Sequence, residues 1–235
     1  MRKFLLLLGV VLCIGNGAVL AQPAELTGYQ ILQKSAETYA ALPSYSGNTA
    51  VIEQANLDNG ASLLQTATAT ITFQRSGKVH IEGRATNGTP YYIDSDGKKT
   101  TLKFNYPSGK ETEKTEDCKS LEMAIGGATG IAADAPTVIT AALIQSHWGN
   151  PFFKNSDATL LGKETINNAE CYKVVTSVTL KGSSFKYTYW IDTQSLLLNQ
   201  MRQEIESVDN SGIHSMMSLF VFTNGKVIDG VLSSK

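Results

Sequence analysis

The sequence predicts a mainly β protein, built from antiparallel strands with one N-terminal helix and a helical insert. Three observations indicate this class. Apolar and polar residues alternate along several long segments, turns that contain glycine separate these segments, and helical spacing of apolar residues is confined to two regions. Because the turns are short, neighbouring strands are expected to form a meander and not the βαβ units of a parallel sheet.

Residues 1–21 are interpreted as a cleaved signal peptide. Arg2 and Lys3 precede a short apolar run, and small residues stand just before Gln22, where a signal peptidase would cut. The alternative is a membrane anchor, but the run is short for crossing a bilayer. Lipid anchoring needs a cysteine directly after the cut, whereas Cys13 lies inside the apolar run. We therefore expect a periplasmic or secreted protein.

Composition and charge indicate which classes of partner the protein can bind. The formal net charge is −1, with 20 Lys and Arg against 21 Asp and Glu, and no long basic stripe occurs. Since such a stripe is the usual footprint of nucleic-acid binding, we expect no nucleic-acid partner. The sequence shows no internal repeat and no low-complexity linker, so residues 22–235 are predicted to form a single monomeric domain.

The first predicted helix begins after Thr27. Thr27 and Gln30 have the spacing of a capping box, and apolar residues follow at helical spacing as far as Leu42. Pro43 then ends the helix, because proline cannot continue the hydrogen-bonding pattern.

Two long strands, 44–56 and 61–75, are predicted next. Asn59-Gly60 lies between them and supplies the positive φ angles of a tight hairpin turn. Further turns containing glycine separate shorter strands around Val79, Tyr91 and Leu102.

Residues 117–148 are predicted to form the helical insert. Asp117 can cap a first short helix, and Asp134 can cap a second one with Pro136 in its first turn. The glycines of residues 126–130 are expected to interrupt the helices and act as a hinge, so that the insert forms a movable cover. The apolar residues expected to face the sheet are Met123, Ile139, Leu143 and Trp148.

The most apolar strands follow Pro151. Phe185, Tyr187, Tyr189 and Ile191 alternate along one strand, so their side chains share a face. Phe220 and Phe222 alternate in the same way in the last strand. Two interpretations of this apolar surface stay open: it floors a ligand cavity, or it is packed core beneath the helices.

The sequence contains no motif that indicates catalysis or metal binding. His80, His147 and His214 lie far apart, without the paired spacing of metal ligands. Ser183 and Lys186 match a Ser-x-x-Lys pattern, but in a strand, where the lysine does not return to the serine. We therefore expect a non-enzymatic protein with no catalytic residue, no metal and no cofactor, and a hydrolase with a site of scattered residues is the alternative.

Two cysteines, Cys118 and Cys171, remain after the predicted cleavage. Export would place them in a compartment where disulfides persist. A bridge between them and two separate buried thiols are both compatible with the sequence.

Two motifs resemble the LolA-like periplasmic lipoprotein-carrier superfamily. The first runs from Gly162 and Glu164 to Cys171-Tyr172, and the second is Trp190-Ile191-Asp192 followed by Leu197. With the signal peptide, the amphipathic helix and the meander, the resemblance covers most of the mature chain. It is nearest to exported bacterial members of undefined function.

The resemblance implies an open, strongly curved antiparallel sheet, a half-barrel, whose concave face is closed by helices around an apolar cavity. It implies a carrier or sensor for a lipid, a lipoprotein acyl chain or another apolar ligand, and a polar residue that holds the closed state. No residue of this sequence matches that polar residue by motif: Arg75 and Arg84 are available, but no local motif singles either out. The expected ligand-binding residues are Tyr187, Tyr189, Ile191, Phe220, Phe222, Met123, Leu143 and Trp148. The alternative is a module that binds a peptide or an envelope protein on the open sheet.

Overall fold

The computed structural model describes residues 25–105, 113–146, 157–180, 183–206 and 212–226. Within these ranges the chain forms three helices and eleven strands. The predicted signal peptide, residues 1–21, lies outside them, and so does Trp148. No helix in the described part of the chain is long and apolar enough to cross a membrane.

The elements follow the order that the sequence predicts, with one helix, a first set of strands, a helical insert and a second set of strands. The helices are α1 (Gly28–Ala41), α2 (Leu121–Ala132) and α3 (Thr137–Ile144). The strands are β1 (Ser44–Leu57), β2 (Ser62–Gln74), β3 (Lys78–Arg84), β4 (Pro90–Asp96), β5 (Thr100–Asn105), β6 (Glu113–Cys118), β7 (Thr159–Ile166), β8 (Ala169–Leu180), β9 (Ser183–Asp192), β10 (Leu198–Glu206) and β11 (Ile213–Lys226).

All these strands belong to one antiparallel sheet with the order β6-β5-β4-β3-β2-β1-β11-β10-β9-β8-β7. Strands β1 to β6 form one meander and β7 to β11 form a second. The two meanders join where β1 pairs with β11. The sheet does not close, because β6 and β7 are its two edges. The predicted meander is therefore confirmed.

The helices cover the concave face of the sheet. Helix α2 packs against β2, β4, β5 and β6, while α1 packs against β7, β8 and α3. Their buried residues join those of the strands in one hydrophobic core. The predicted fold class, an open and strongly curved sheet covered on its concave face by a few helices, is confirmed.

Helix α1 begins with the predicted capping box. The Thr27 side chain accepts a hydrogen bond from the Gln30 amide at 3.2 Å, and the Gln30 side chain accepts one from the Thr27 amide at 2.9 Å. Ile31, Leu32 and Tyr39 are buried on the face that packs against the sheet. The helix ends before Pro43, as predicted.

The structure corrects the prediction for the helical insert. Asp117 belongs to β6, and Ser120 is the N-cap of α2, accepting a hydrogen bond from the Met123 amide at 3.1 Å. Gly126 and Gly127 do not interrupt this helix. Packing outweighs their low helix propensity, since a Cβ at Gly127 would lie only 3.0 Å from the Leu102 side chain.

The turn between α2 and α3 differs from the prediction as well. The N-cap position of α3 is Pro136, and Asp134 lies before it with a left-handed backbone, φ 62°. The Asp134 carbonyl accepts a hydrogen bond from the Thr137 amide.

Candidate functional site

The concave face carries side chains in rows that cross β2, β1, β11, β10, β9 and β8. Residues directly paired in antiparallel strands present their side chains on the same face, so the register defines each row. The inner apolar row consists of Ala67, Val51, Phe220, Met201, Tyr189 and Val174. The polar row consists of Gln65, Glu53, Ser218, Gln203, Tyr187 and Thr176. The outer apolar row consists of Leu63, Ala55, Met216, Ile205, Phe185 and Val178.

The inner apolar row is packed core. None of its six side chains is more than 2% exposed, and all belong to the hydrophobic core beneath the helices. Ile191, Phe222 and Leu143 lie in the same core. Five of the predicted ligand-binding residues are therefore buried side chains in contact with protein: Tyr189, Ile191, Phe220, Phe222 and Leu143.

The other predicted ligand-binding residues lie elsewhere. Tyr187 is partly buried in the polar row, and its ring stacks on that of Tyr189 with 6.2 Å between centroids. Met123 is 54% exposed on α2 and does not pack on the sheet as expected. A binding role for the whole set stays a prediction.

The outer apolar row is only partly open to solvent. Leu63 is 50% exposed and Val178 is 40% exposed, while Phe185, Ile205 and Met216 are partly buried and Ala55 is buried. The concave face therefore ends in a row of apolar positions that is open to solvent at its two ends.

The polar row separates these two apolar rows. The Glu53 carboxylate accepts hydrogen bonds from the Gln65 amide group and, at 2.9 Å, from the Ser218 hydroxyl. The Thr176 side chain is 3% exposed, and its hydroxyl has no hydrogen-bond partner in the described part of the chain. This band is hydrophilic although apolar side chains flank it on both sides.

Asp134, in the turn between α2 and α3, carries a second carboxyl group. Burial raises the pKa of Asp134, hydrogen bonds with Thr129 and Thr137 lower it, and the charge of Glu53 raises it. Burial also raises the pKa of Tyr187, and the charge of Asp134 raises it further. Neither carboxyl group has an ion-pair partner among the described residues.

Arg75, directly after β2, joins the ends of two helices. Its guanidinium donates to the carbonyls of Leu42 at 3.1 Å and Tyr39 at 2.7 Å, and also to that of Leu143. Burial lowers the pKa of this guanidinium. The accepting carbonyls lie at the C-terminal ends of α1 and α3, where helix carbonyls lack intrahelical partners and carry partial negative charge.

The structure thereby separates the two arginine candidates. Arg84 bonds the Gly88 carbonyl within its own hairpin, at 3.0 Å, and contacts no helix in this way. Sequence motifs single out neither arginine. The sequence signal that could have identified Arg75 is the β1–β2 hairpin. Its register places residue 75 beside Pro43, and therefore beside the end of α1. The Arg75 amide donates to the Pro43 carbonyl at 2.9 Å.

The two motifs behind the LolA-like resemblance meet on the outer face of the sheet. The Trp190 indole donates to Glu164 at 2.7 Å, and Lys173 donates to the same carboxylate at 2.6 Å. Cys171 pairs in register with Asp192, whose carboxylate accepts from the amide of Ser195 at 2.6 Å. These motif residues therefore hold β7, β8 and the β9–β10 turn together, which is a structural role.

The predicted disulfide is not formed. Cys118 and Cys171 are both free, and burial raises the pKa of each thiol. Cys118 ends β6, an edge strand, whereas Cys171 lies on β8 near the opposite edge. Of the two possibilities open from the sequence, the structure has separate thiols.

Among the described residues, no group of three or more His, Cys, Asp and Glu could hold a metal ion.

No family model matches this sequence, and no curated protein matches it significantly. Among solved structures, LprF from Mycobacterium bovis is similar with a TM-score of 0.51 and 14% identity, covering 88% of this chain and 96% of that one. The Mycobacterium tuberculosis lipoprotein LppX is similar with a TM-score of 0.43 and 12% identity, covering 87% and 97%. A LolA superfamily protein from Nitrosomonas europaea has a TM-score of 0.34 and 14% identity, covering 88% and 96%. The likeness to LprF is one of fold.

Proposed function

We propose that this protein is an exported carrier or sensor that binds a lipid, a lipoprotein acyl chain or another apolar ligand on the concave face of the half-barrel. The outer apolar row is the observation that carries the proposal. Six apolar side chains lie side by side across six strands: those at the two ends, Leu63 and Val178, are exposed, Met216, Ile205 and Phe185 are partly buried, and Ala55 is buried. Apolar side chains that stay partly open to solvent along one face of a sheet fit a binding site for an apolar ligand.

Arg75 fits the polar residue that holds the closed state in the LolA-like resemblance. It bonds carbonyls of both α1 and α3, so it restrains the two helices that lie over the buried part of the concave face. A ligand that enters between helices and sheet would have to weaken these bonds. Arg75 is therefore the proposed latch of the cover.

Two neighbouring leucines of β2 provide a matched test. Leu63 and Leu64 are both largely exposed, at 50% and 67%, but their side chains lie on opposite faces of the sheet. The probe is N-phenyl-1-naphthylamine, which is neutral at pH 7 and fluoresces in apolar surroundings. We expect Leu63→Ser to weaken its binding about tenfold, because apolar contact area is lost, and Leu64→Ser to change it less than about twofold.

The stability of both leucine variants is expected to stay within about 0.5 kcal/mol of the wild type, because neither side chain is core. Equal losses of binding in the two variants would contradict a site on the concave face. A wild-type protein that binds neither this probe nor any acyl probe would overturn the carrier proposal.

A protein-interaction module is the second candidate. One observation favours it: Ile52, Leu64 and Met217 are exposed on the outer face, on the neighbouring strands β1, β2 and β11. Native mass spectrometry of protein purified from its own envelope separates the two functions. A co-purifying acyl species supports the carrier, whereas a protein partner that is lost in Leu64→Ser supports the module.

A further inference from the structure

Part of strand β2 is a free edge of the sheet. Strand β1 pairs with β2 along its whole length, from Ser62 to Gln74, but β3 pairs with β2 only from Thr68 onward. Within the described structure, residues 62–67 therefore have no neighbouring strand on the side away from β1. The sheet thus has a further edge inside its strand order, besides β6 and β7.

The hydrogen bonds of the β1–β2 hairpin define which backbone groups face this edge. The Leu57 amide donates to the Ala61 carbonyl at 2.8 Å, so these two residues form a hydrogen-bonded pair. Such pairs alternate with non-bonded pairs in an antiparallel ladder, and every second residue of β2 after Ala61 therefore bonds to β1. The residues between them, Ser62, Leu64 and Thr66, direct their N–H and C=O groups away from β1.

Thr68, the next residue of this series, has the same orientation. Its carbonyl accepts a hydrogen bond from the Tyr91 hydroxyl of β4 at 2.9 Å, on the side of β2 that faces β3. No described strand lies beside Ser62, Leu64 and Thr66 on that side. These residues present donors and acceptors about 6.8 Å apart, twice the rise of a strand. An extended backbone offers acceptors and donors at the same spacing, so the free edge specifies an extended polypeptide.

The other two edges of the sheet carry features that prevent strand pairing, and this edge carries none of them. In β6, four of the six residues are charged. The ladder of β7 is irregular between Leu160 and Gly162, and a Cβ at Gly28 would lie 2.7 Å from the Leu160 amide nitrogen, so the start of α1 covers this edge. Proteins use charges, irregularities and covering segments to keep an edge unpaired. Residues 62–67 contain no charge and no proline, and their ladder with β1 is regular.

The side chains of the edge indicate the composition of the peptide. Leu63 is 50% exposed on the concave face, and Leu64 is 67% exposed on the outer face. Residues directly opposite each other in a sheet share a face, so two consecutive apolar residues of an added strand would contact the two leucines. The flanking positions, Ser62, Gln65 and Thr66, are polar and uncharged. The matching segment is therefore uncharged, with an apolar pair at its centre.

The end of the edge favours a separate peptide over a second copy of this chain. Antiparallel self-pairing that used all the outward-facing residues would place Leu64 opposite Leu64 of the copy. In that register, Gly60 of the copy would lie opposite Thr68, where Arg84 already pairs. A short peptide can end before this point.

We propose that residues 62–67 of β2 bind an extended, uncharged peptide segment of another protein, which adds a strand to the sheet. Main-chain hydrogen bonds to Ser62, Leu64 and Thr66 hold the segment, while Leu63 and Leu64 select its apolar pair. This rests on the second candidate function, the protein-interaction module, and specifies the class of its partner.

A synthetic peptide tests the proposal by fluorescence polarisation with the full mature protein. Its sequence is Ser-Thr-Val-Val-Thr-Ser, with fluorescein at the N-terminus and an amide at the C-terminus. We expect a Kd on the order of 100 µM, because about six backbone hydrogen bonds of modest net value form.

N-methylation of the peptide separates backbone pairing from side-chain contact, because it removes amide donors and leaves the side chains unchanged. Methylation along one edge of the peptide should weaken binding only about twofold, since the peptide can present its other edge. Methylation along both edges should weaken binding at least about tenfold.

Two variants at one position test the edge itself. Thr66→Pro removes an N–H that faces the edge and places a ring there, while the ladder with β1 keeps its hydrogen bonds. It should weaken peptide binding at least about tenfold, with little change in the denaturation midpoint. Thr66→Val is the matched control: it keeps the N–H and should change binding less than about twofold. If Thr66→Pro fails to fold, the methylated peptides still decide.

The outcomes separate this proposal from the two candidate functions. Absence of peptide binding to the wild type, or equal binding of the unmodified and the fully methylated peptide, would overturn the proposal. Self-association that is lost in Thr66→Pro, without peptide binding, would overturn it in favour of a second copy. An envelope protein that binds Thr66→Pro as tightly as the wild type would remove the edge from the module but leave the module standing. Binding of N-phenyl-1-naphthylamine tests the carrier independently.

Discussion

The inner and outer apolar rows are built from the same strands and lie on the same face, yet one is buried core and the other is partly open to solvent. Tyr189 in the inner row is 1% exposed, whereas Val178, at the end of the outer row, is 40% exposed. Both rows follow from the same alternation of apolar and polar residues. The helices produce the difference, because they pack over one row and stop short of the other.

The alternating apolar residues of β9 could form either the floor of a ligand cavity or packed core, and the contrast between the rows shows that they do not all have the same role. Tyr189 and Ile191 belong to the packed core, whereas Phe185 lies in the open row beyond Tyr187. A single strand thus contributes to core, polar row and candidate binding surface in turn. Whether an aromatic residue supports the fold or contacts a ligand depends on its position along the strand and not on its type.

The largest expected effect comes from truncating one aromatic residue in each apolar row. Tyr189→Ala should lower the free energy of unfolding by about 3–5 kcal/mol, because it leaves a void in close-packed core. Phe185→Ala, four positions earlier on the same strand, should cost less than about half of that, since its site is open. Chemical denaturation of both variants measures the difference. Equal losses would mean that the outer row is packed core as well.

Removing Arg75 should make the inner row resemble the outer one. Arg75→Leu is expected to cost about 2–3 kcal/mol, because three hydrogen bonds from a charged donor to the ends of α1 and α3 are lost. Loosened helices would also expose inner apolar side chains. Binding of N-phenyl-1-naphthylamine should therefore rise while the denaturation midpoint falls.

Two further variants serve as controls for Arg75. Arg84→Leu removes a guanidinium that bonds only within its own hairpin in the described structure, so its cost should stay below about 1 kcal/mol. Arg75→Lys should recover only part of the loss, because an ammonium group lacks the planar fork that reaches several carbonyls at once. If Arg84→Leu and Arg75→Leu behaved alike, Arg75 would not act as a latch.

Local signals in the sequence predicted much of this fold. The capping box at Thr27 and Gln30 and the stop at Pro43 occur as expected, because neighbouring residues alone determine their hydrogen bonds. The predicted hairpin also forms, but of Asn59 and Gly60 only Gly60 has a positive φ, 82°. The helical insert was harder to predict. Glycine propensity argued against a continuous α2, but packing against Leu102, a residue of a distant strand, outweighed it.

The candidate site could be predicted only in part. Alternation within each strand shows which side chains share a face, but a row appears only when six strands are aligned. Glu53 and Ser218 are far apart in the sequence, and they meet because β1 pairs with β11 in one register. Turn lengths and local irregularities set that register, so no short motif contains it. The three bonds of Arg75 depend on the same alignment.

A smaller effect on stability is expected when the charge of Asp134 is removed. Burial raises the pKa of Asp134, and Glu53 raises it further, so the folded protein holds this proton to a higher pH than the unfolded chain does. Stability from this group is therefore full below the unfolded pKa and is lost as the pH rises through the folded pKa. Asp134→Asn should be more stable than wild type at pH 7, with the gap narrowing toward pH 4. A gap that widened in acid would contradict this assignment.

The smallest expected change in stability comes from two buried hydroxyl groups that lie on neighbouring strands but on opposite faces of the sheet. Thr176 faces the polar row, whereas Thr188 lies on the outer face, and neither hydroxyl has a hydrogen-bond partner within the described residues. Thr176→Val and Thr188→Val each remove an unpaired polar atom, so both should leave stability unchanged or raise it by about 0.5–1 kcal/mol. Chemical denaturation of both variants checks these values, and a loss of more than about 1 kcal/mol in either variant would show that its hydroxyl is hydrogen-bonded in the folded protein.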